Sequence, residues 1–173
     1  MVKSLGFAEN EAQSVYHIFI GAVYLMPLFG GWLSDRILGR YKTILYLSFG
    51  YVAGHGVIAL WEGKDGLYAG MVLIALGAGG IKPCVSAFVG DQFGRDQVTL
   101  IDKVYALFYL SINIGAIAAQ LLIPKMLSEY GPQVAFGIPG VLMAIALVVY
   151  FAGRRHYVKA PPTGNDPNSF GAV

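Results

Sequence analysis

The sequence predicts an all-α fold, a polytopic bundle of membrane-crossing helices, and three observations predict it. Hydrophobic residues make up 56% of the chain and charged residues only 13%, where a soluble domain carries about 25% charged residues. The mean hydropathy is +0.60. The few charges are also gathered into clusters, which leaves long charge-free intervals, and an ionised side chain is costly in hydrocarbon.

Those intervals place the elements in order. No Asp, Glu, Lys or Arg lies between Glu11 and Asp35, Lys42 and Glu62, Lys103 and Lys125, or Glu129 and Arg154, and between Asp65 and Asp91 there is one, Lys82. Each interval holds about 19 to 25 residues, which at about 1.5 Å per residue crosses a hydrocarbon core about 30 Å thick. Five spans follow, at about 12–34, 43–61, 66–90, 104–124 and 130–153, inside a bundle of about residues 11–153. No basic n-region leads into a cleavage site, so no span reads as a signal peptide.

Basic residues set the orientation, because cytoplasmic loops retain Lys and Arg. Arg36, Arg40 and Lys42, then Arg95 and Lys103, then Arg154, Arg155 and Lys159 fall on one side, against Lys3, Lys64 and Lys125 on the other. The first group is assigned to the cytoplasm. The chain then opens with an extracytoplasmic segment, 1–10, and closes with a Pro/Gly/Asn-rich cytoplasmic linker, 154–173. A start on the outer face with no preceding span points to missing upstream sequence. The net charge of +2 is spread over short loops, which argues against a nucleic-acid partner and for the lipid bilayer as the surrounding medium.

Few residues break the apolar pattern, and each has a packing explanation beside a functional one. Lys82 lies mid-span between Ile81 and Pro83 and far from either interface, so its amine must be paired, neutral or in water. No Asp or Glu lies mid-span anywhere in the chain, so a structural ion pair lacks its second member here. Pro83 removes a backbone hydrogen bond and is expected to kink the helix beside the lysine. His17 sits about two turns into the first span with Tyr24 on the same helical face, suited either to proton relay or to an interhelical hydrogen bond. Tyr105, Tyr109, Asn113 and Gln120 form a polar stripe on the fourth span, which is expected to face the bundle interior. Cys84, the single cysteine, reads as a small packing residue. Gly50, Gly54 and the run Gly77-Ala78-Gly79-Gly80 invite close helix contact, and Trp32 and Trp61 suit the membrane interfaces.

Gly31, Asp35, Arg36, Gly39 and Arg40 lie in the segment joining the first two spans, where a turn glycine and opposite charges can latch helix ends. This segment resembles the major facilitator loop motif with one extra residue. Three stretches resemble the proton-dependent oligopeptide transporters more closely: Tyr16-His17 with residues 30–43, then residues 77–88 with Asp91-Gln92-Phe93, then Phe108-Tyr109-Leu110-Ser111-Ile112-Asn113-Ile114-Gly115. Their order and spacing agree with that family, and the resemblance covers nearly the whole chain.

The resemblance implies that the five spans are the second through sixth helices of a family fold with twelve or more, a partial N-terminal half. It implies that Lys82 serves proton coupling and peptide binding, that His17 handles protons, and that Tyr24 and Asn113 line the binding cavity. It implies a cytoplasmic gate at Gly31, Asp35, Arg36, Gly39 and Arg40, protons as the coupling ion, and no other cofactor. The family's Glu-x-x-Glu-Arg first helix, which supplies the lysine's partner, and the second half are absent. Ala116 stands where many members have serine. The expected function is import of di- and tripeptides by alternating access at the cell membrane, with the remaining helices of the transporter as partners. The rivals are a carrier of nitrate or another small anion and an inactive membrane scaffold. An enzyme is disfavoured, because the spans hold no nucleophile and base pair and no metal cluster.

Overall fold

A backbone in hydrocarbon must satisfy its own N–H and C=O groups, which makes continuous helices of the apolar intervals. The structure, a computed structural model, describes residues 9–61, 63–94 and 96–164. Its long elements are α1 (Glu9–Leu33), α2 (Arg40–Leu60), α3 (Lys64–Gly90), α4 (Val98–Glu129) and α5 (Pro132–Ala152), with a π-helical turn at Ser34–Leu38 and a 3-10 turn at Gly153–Arg155. All five helices are long and apolar enough to cross a membrane. Lys3 and the rest of 1–8, Glu62, Arg95 and the linker residues 165–173 lie outside the described residues.

Helix α3 is the centre of the bundle, packed on α2 along one side and on α1 along another, while α5 packs on the far side of α2. Bare backbone makes these contacts possible. A Cβ on Gly54 would stand 2.8 Å from the Gly70 carbonyl oxygen, and one on Gly77 would stand 2.8 Å from the Leu47 oxygen and the Tyr51 nitrogen. On the α1 side a Cβ on Gly79 would lie 2.9 Å from the Val23 oxygen, and Gly30 meets Gly80 backbone to backbone. Small residues at helix crossings allow this approach, and dispersion and weak polar contacts hold it where no hydrophobic drive operates between helices in lipid. The packing expected of the glycines is therefore seen at Gly54, Gly77, Gly79 and Gly80, whereas Gly50 faces open space.

Helix ends are tied by charge. Lys64 Nζ lies 3.2 Å from the Glu11 carboxylate, joining the starts of α1 and α3. Arg40 pairs with Asp91 at the opposite end, joining the start of α2 to the end of α3.

Three expectations need correction. The segment from Gly31 is not a loop: α1 runs through Leu33 and the π-helical turn carries the chain to Leu38, so Gly39 alone is non-helical before α2. Gly31 is helical with nothing near its Cβ position, so it does not act as a turn glycine. The polar stripe of α4 is not enclosed. No residue of α4 is buried, and Tyr109, Asn113 and Gln120 are exposed. Of that stripe only Tyr105 is half-buried, and it donates its hydroxyl to the Ser86 carbonyl on α3 at 2.8 Å. Helix α4 also exceeds its charge-free interval, because its terminal turns carry Asp102, Lys103, Lys125 and Glu129, whose charges suit helix ends outside hydrocarbon. Pro83 is accommodated within continuous helix.

Helix contact through glycine yields a direct test. Gly54→Val forces side-chain atoms into the Gly70 backbone, an overpacking that costs about 1–3 kcal/mol, and is expected to lower the thermal midpoint of the detergent-solubilised full-length protein. Gly21→Ala, which enters open space, is the matched control; equal midpoints for the two variants would refute the α2–α3 seam.

Candidate functional site

The expected site residues sit on three helices. Lys82 is on α3 about 200° around the helix from Cys84, and Cys84 is the residue that packs into the bundle, its thiol 3.3 Å from the Gly80 oxygen and 3.5 Å from the Gly30 oxygen. The lysine is consequently exposed, not buried, and it makes no ion pair with any described residue. Pro83 follows it, so the Gly79 carbonyl has no N–H donor one turn along the helix. Gly79 and Gly80, which meet α1 at Val23, Met26 and Gly30, thus lie within a turn of Lys82.

Tyr24 is 77% exposed on α1, flanked by Val23 and Met26, whose atoms close on Gly79. This places Tyr24 at the α1–α3 crossing, one helical turn of α3 from Lys82. His17 is exposed two turns further along α1, its ring edge-on to Tyr16 at 5.8 Å. Asn113 is exposed on α4, and its side-chain amide donates to the Tyr109 carbonyl of its own helix at 2.7 Å. Tyr105 anchors α4 beside Ser86, so Asn113, eight residues outward, and Lys82, four residues outward on α3, differ in height by about 6 Å. The four residues occupy the middle and outer part of the bundle on accessible surface. None is enclosed by described residues. The apolar groove of about 150 Å³ between α1 and α3, lined by Val15, Phe19, Met71 and Ala75 among others, contains none of them.

Of the residues in the segment between the first two helices, Asp35 and Arg40 form a charge network, and it includes one member, Asp91, that sequence spacing did not place there. Arg40 Nη1 donates to Asp91 Oδ1, and its Nε lies 3.9 Å from Asp35 Oδ1, to which Ser34 donates its hydroxyl at 3.1 Å. The Arg40 and Asp91 side chains are 33% and 18% exposed, so the pair is screened less than a surface ion pair and losing one member strands the other. Gly39, with φ of +76°, makes the break that aims Arg40 at Asp91, and its carbonyl accepts from both the backbone N–H and the hydroxyl of Thr43. Arg36 reaches a different partner, the Gly164 carbonyl at 3.2 Å. Asp91 was visible as the first charge after the third span; only the folded chain shows it on the Arg40 side of α3.

His55 was also missed. It is 7% exposed on α2, with Nδ1 2.8 Å from the Phe136 carbonyl on α5 and its Cβ against Gly140. A histidine inside an apolar interval carries no signal that distinguishes it from packing. Here it bridges α2 and α5.

Comparison with known proteins bears on the family and the fold. The POT family model matches residues 41–172. Solute carrier family 15 member 2 of Mus musculus is 43% identical over 93% of the chain, and peptide transporter family 1 of Drosophila melanogaster is 39% identical over 95%. The chain spans 24% of the length of each. The crystal structure of the POT family transporter PepTSo superposes with a TM-score of 0.86 at 48% identity, covering 92% of this chain and 32% of that one. An auto inhibited POT family peptide transporter gives 0.87 at 47% identity, covering 94% and 32%. A match over most of the chain, carried by five membrane-length helices in the arrangement of those structures, makes this multi-pass membrane protein a member of the POT transporter family.

Proposed function

We propose that the chain is part of a proton-coupled symporter that imports di- and tripeptides by alternating access across the cell membrane. The observation that carries this reading is Lys82, an accessible cation at mid-span with no carboxylate partner among the described residues. At about 4 Å and an effective dielectric constant of about 20, a lysine and a carboxylate attract by about 4 kcal/mol. A peptide's terminal carboxylate and a carboxylate from the transporter's remaining helices therefore compete for one cation. Protonating the second frees the lysine for the first, which couples proton entry to peptide capture.

Tyr24 and Asn113 contribute hydroxyl and amide groups at neighbouring heights, suited to peptide backbone, and His17 gives a second titratable group on the α1 face. Protons serve as the coupling ion with no further cofactor, and the role is transport without catalysis. The named relatives support the peptide reading, as does a POT family structure in complex with a thioalcohol conjugated peptide, at 27% identity and a TM-score of 0.76. Because relatives are about four times as long, activity belongs to the longer assembly, in which a second helix bundle closes the other side.

A second reading, transport of nitrate or another small anion, is favoured by the same unpaired lysine and by a POT structure in complex with sulfate, at 32% identity. Competition separates the two: unlabelled dipeptide is expected to suppress uptake and nitrate to leave it unchanged.

In the complete transporter, Lys82→Ala is expected to cut proton-driven peptide accumulation at least about tenfold, the factor that about 1.4 kcal/mol of lost interaction gives. Uptake of radiolabelled dipeptide into proteoliposomes under an imposed pH gradient measures it. Undiminished, pH-dependent accumulation in that variant would overturn the assignment.

A further inference from the structure

The chain after α5 was expected to leave the bundle as a linker, but residues 156–164 turn back across the end that carries Arg40. Two anchors hold them. At the first, the Gln92 side chain engages the Val158 backbone in both directions: its amide donates to the Val158 carbonyl at 3.1 Å, and its oxygen accepts the Val158 N–H at 2.9 Å. The same amide also donates to the Phe88 carbonyl at 3.0 Å, which fixes Gln92 to α3. Beside it Tyr157 enters the ring cluster of Tyr41, Phe88 and Tyr150, stacked on Tyr150 at 5.3 Å and edge-on to Phe88 at 5.4 Å.

At the second anchor, Thr163 donates both its backbone N–H and its hydroxyl to the Asp35 carbonyl, each at 2.8 Å. That carbonyl lies in the last turn before the break at Gly39, where helix carbonyls lack intrahelical donors. The strap therefore caps the π-helical turn that presents Asp35. Between the anchors lie Pro161 and Pro162, whose fixed φ angles stiffen the connection. The Ala160 oxygen lies 3.2 Å from the Cβ position of Gly39. Contacts then close a ring: Asp91 to Arg40, Arg40 to Asp35, Asp35 to Thr163, along the strap to Val158, and through Gln92 back to Asp91.

We propose that Gln92 is a positioning residue for the gate: it pins a proline-stiffened strap whose other end holds Asp35, and so keeps Arg40 between its two carboxylates. The side-chain hydrogen bonds of Gln92 go to the Phe88 and Val158 backbone and not to Arg40, Asp35 or Asp91, so it acts through the strap. Its effect on transport rests on the symporter reading above, whereas its effect on the strap does not.

Two measurements on the full-length protein test the idea. In hydrogen–deuterium exchange, Gln92→Ala is expected to speed exchange of the Val158 amide and also of the distant Thr163 amide, each about five- to tenfold, the scale of one lost net hydrogen bond. Thr163→Val, which keeps the backbone donor and loses the hydroxyl, is expected to speed Val158 in return, since coupling is reciprocal. Faster exchange at Val158 with Thr163 unchanged would overturn the proposal. In dipeptide uptake, Gln92→Ala is expected to lower the maximal rate about threefold with KM unchanged, and to add nothing in an Arg40→Ala background. Multiplicative losses in the double variant would also overturn it. Should the parent protein take up no peptide, the symporter reading fails while the exchange result still decides the strap.

Discussion

The contact on which the other features depend is the approach of α3 to α1 and α2 with no side chain between the backbones. Gly54 against Gly70, Gly77 against Leu47 and Tyr51, and Gly30 against Gly80 leave room for nothing larger than hydrogen. Between helices in lipid the hydrophobic effect supplies no attraction, so association depends on such contact. The seams also fix rotation about the α3 axis. With Gly77, Gly80 and Cys84 turned toward neighbours, Lys82 is left on the accessible side and Phe88 falls into the ring cluster at the Arg40 end. The lysine's exposure is thus a consequence of where the glycines are.

Much of this was legible because membrane burial is written in charge. Charge-free intervals locate helices without any need for periodicity, and Lys82 stands out because cost in hydrocarbon makes it conspicuous. Contacts between elements are less legible. Nothing in the sequence separates Gly50, which faces open space, from Gly54, which lies on a backbone, or assigns Gly31 to a helix and Gly39 to a positive φ. Asp91 and Gln92 belong to a stretch that resembles the family, but nothing in their spacing shows that the fold sets them beside Arg40 and Val158. His55 was silent for the opposite reason, since a residue whose task is to reach one carbonyl on a neighbouring helix needs no company in sequence. The stripe on α4 was read as inward-facing because lipid accepts few polar groups; its exposure beside α3 marks a surface that described residues do not cover.

Helix α3 carries both ends of the device. Lys82 and the Asp91 cap are nine residues apart, about 13.5 Å along one helix, and the helix is continuous across Pro83. A tilt of α3 that changes what Lys82 meets at mid-span must also move Asp91 relative to Arg40 on α2. The Arg40–Asp91 pair is partly buried, so it tolerates little stretch before its attraction falls and the stranded charges become costly. Two discrete arrangements, with the pair made or broken, are more favourable than a graded series. The symport proposed above would need that property, since an intermediate open to both sides would dissipate the gradient.

The strap raises the number of elements that must move together. Through Gln92 and the ring cluster it joins α5 to α3, and through Thr163 it joins α5 to the turn between α1 and α2, so four of the five helices converge on the Arg40 network. The fifth, α4, reaches α3 through the Tyr105 hydroxyl and otherwise stands on α5. Helices α1, α2, α3 and α5 are thus packed and bonded together more extensively than α4, which touches the rest of the bundle at few points. Asn113 is on the sparsely packed helix, and Lys82 and Tyr24 are on the closely packed ones. The difference follows from which helices have glycine seams and which one has none.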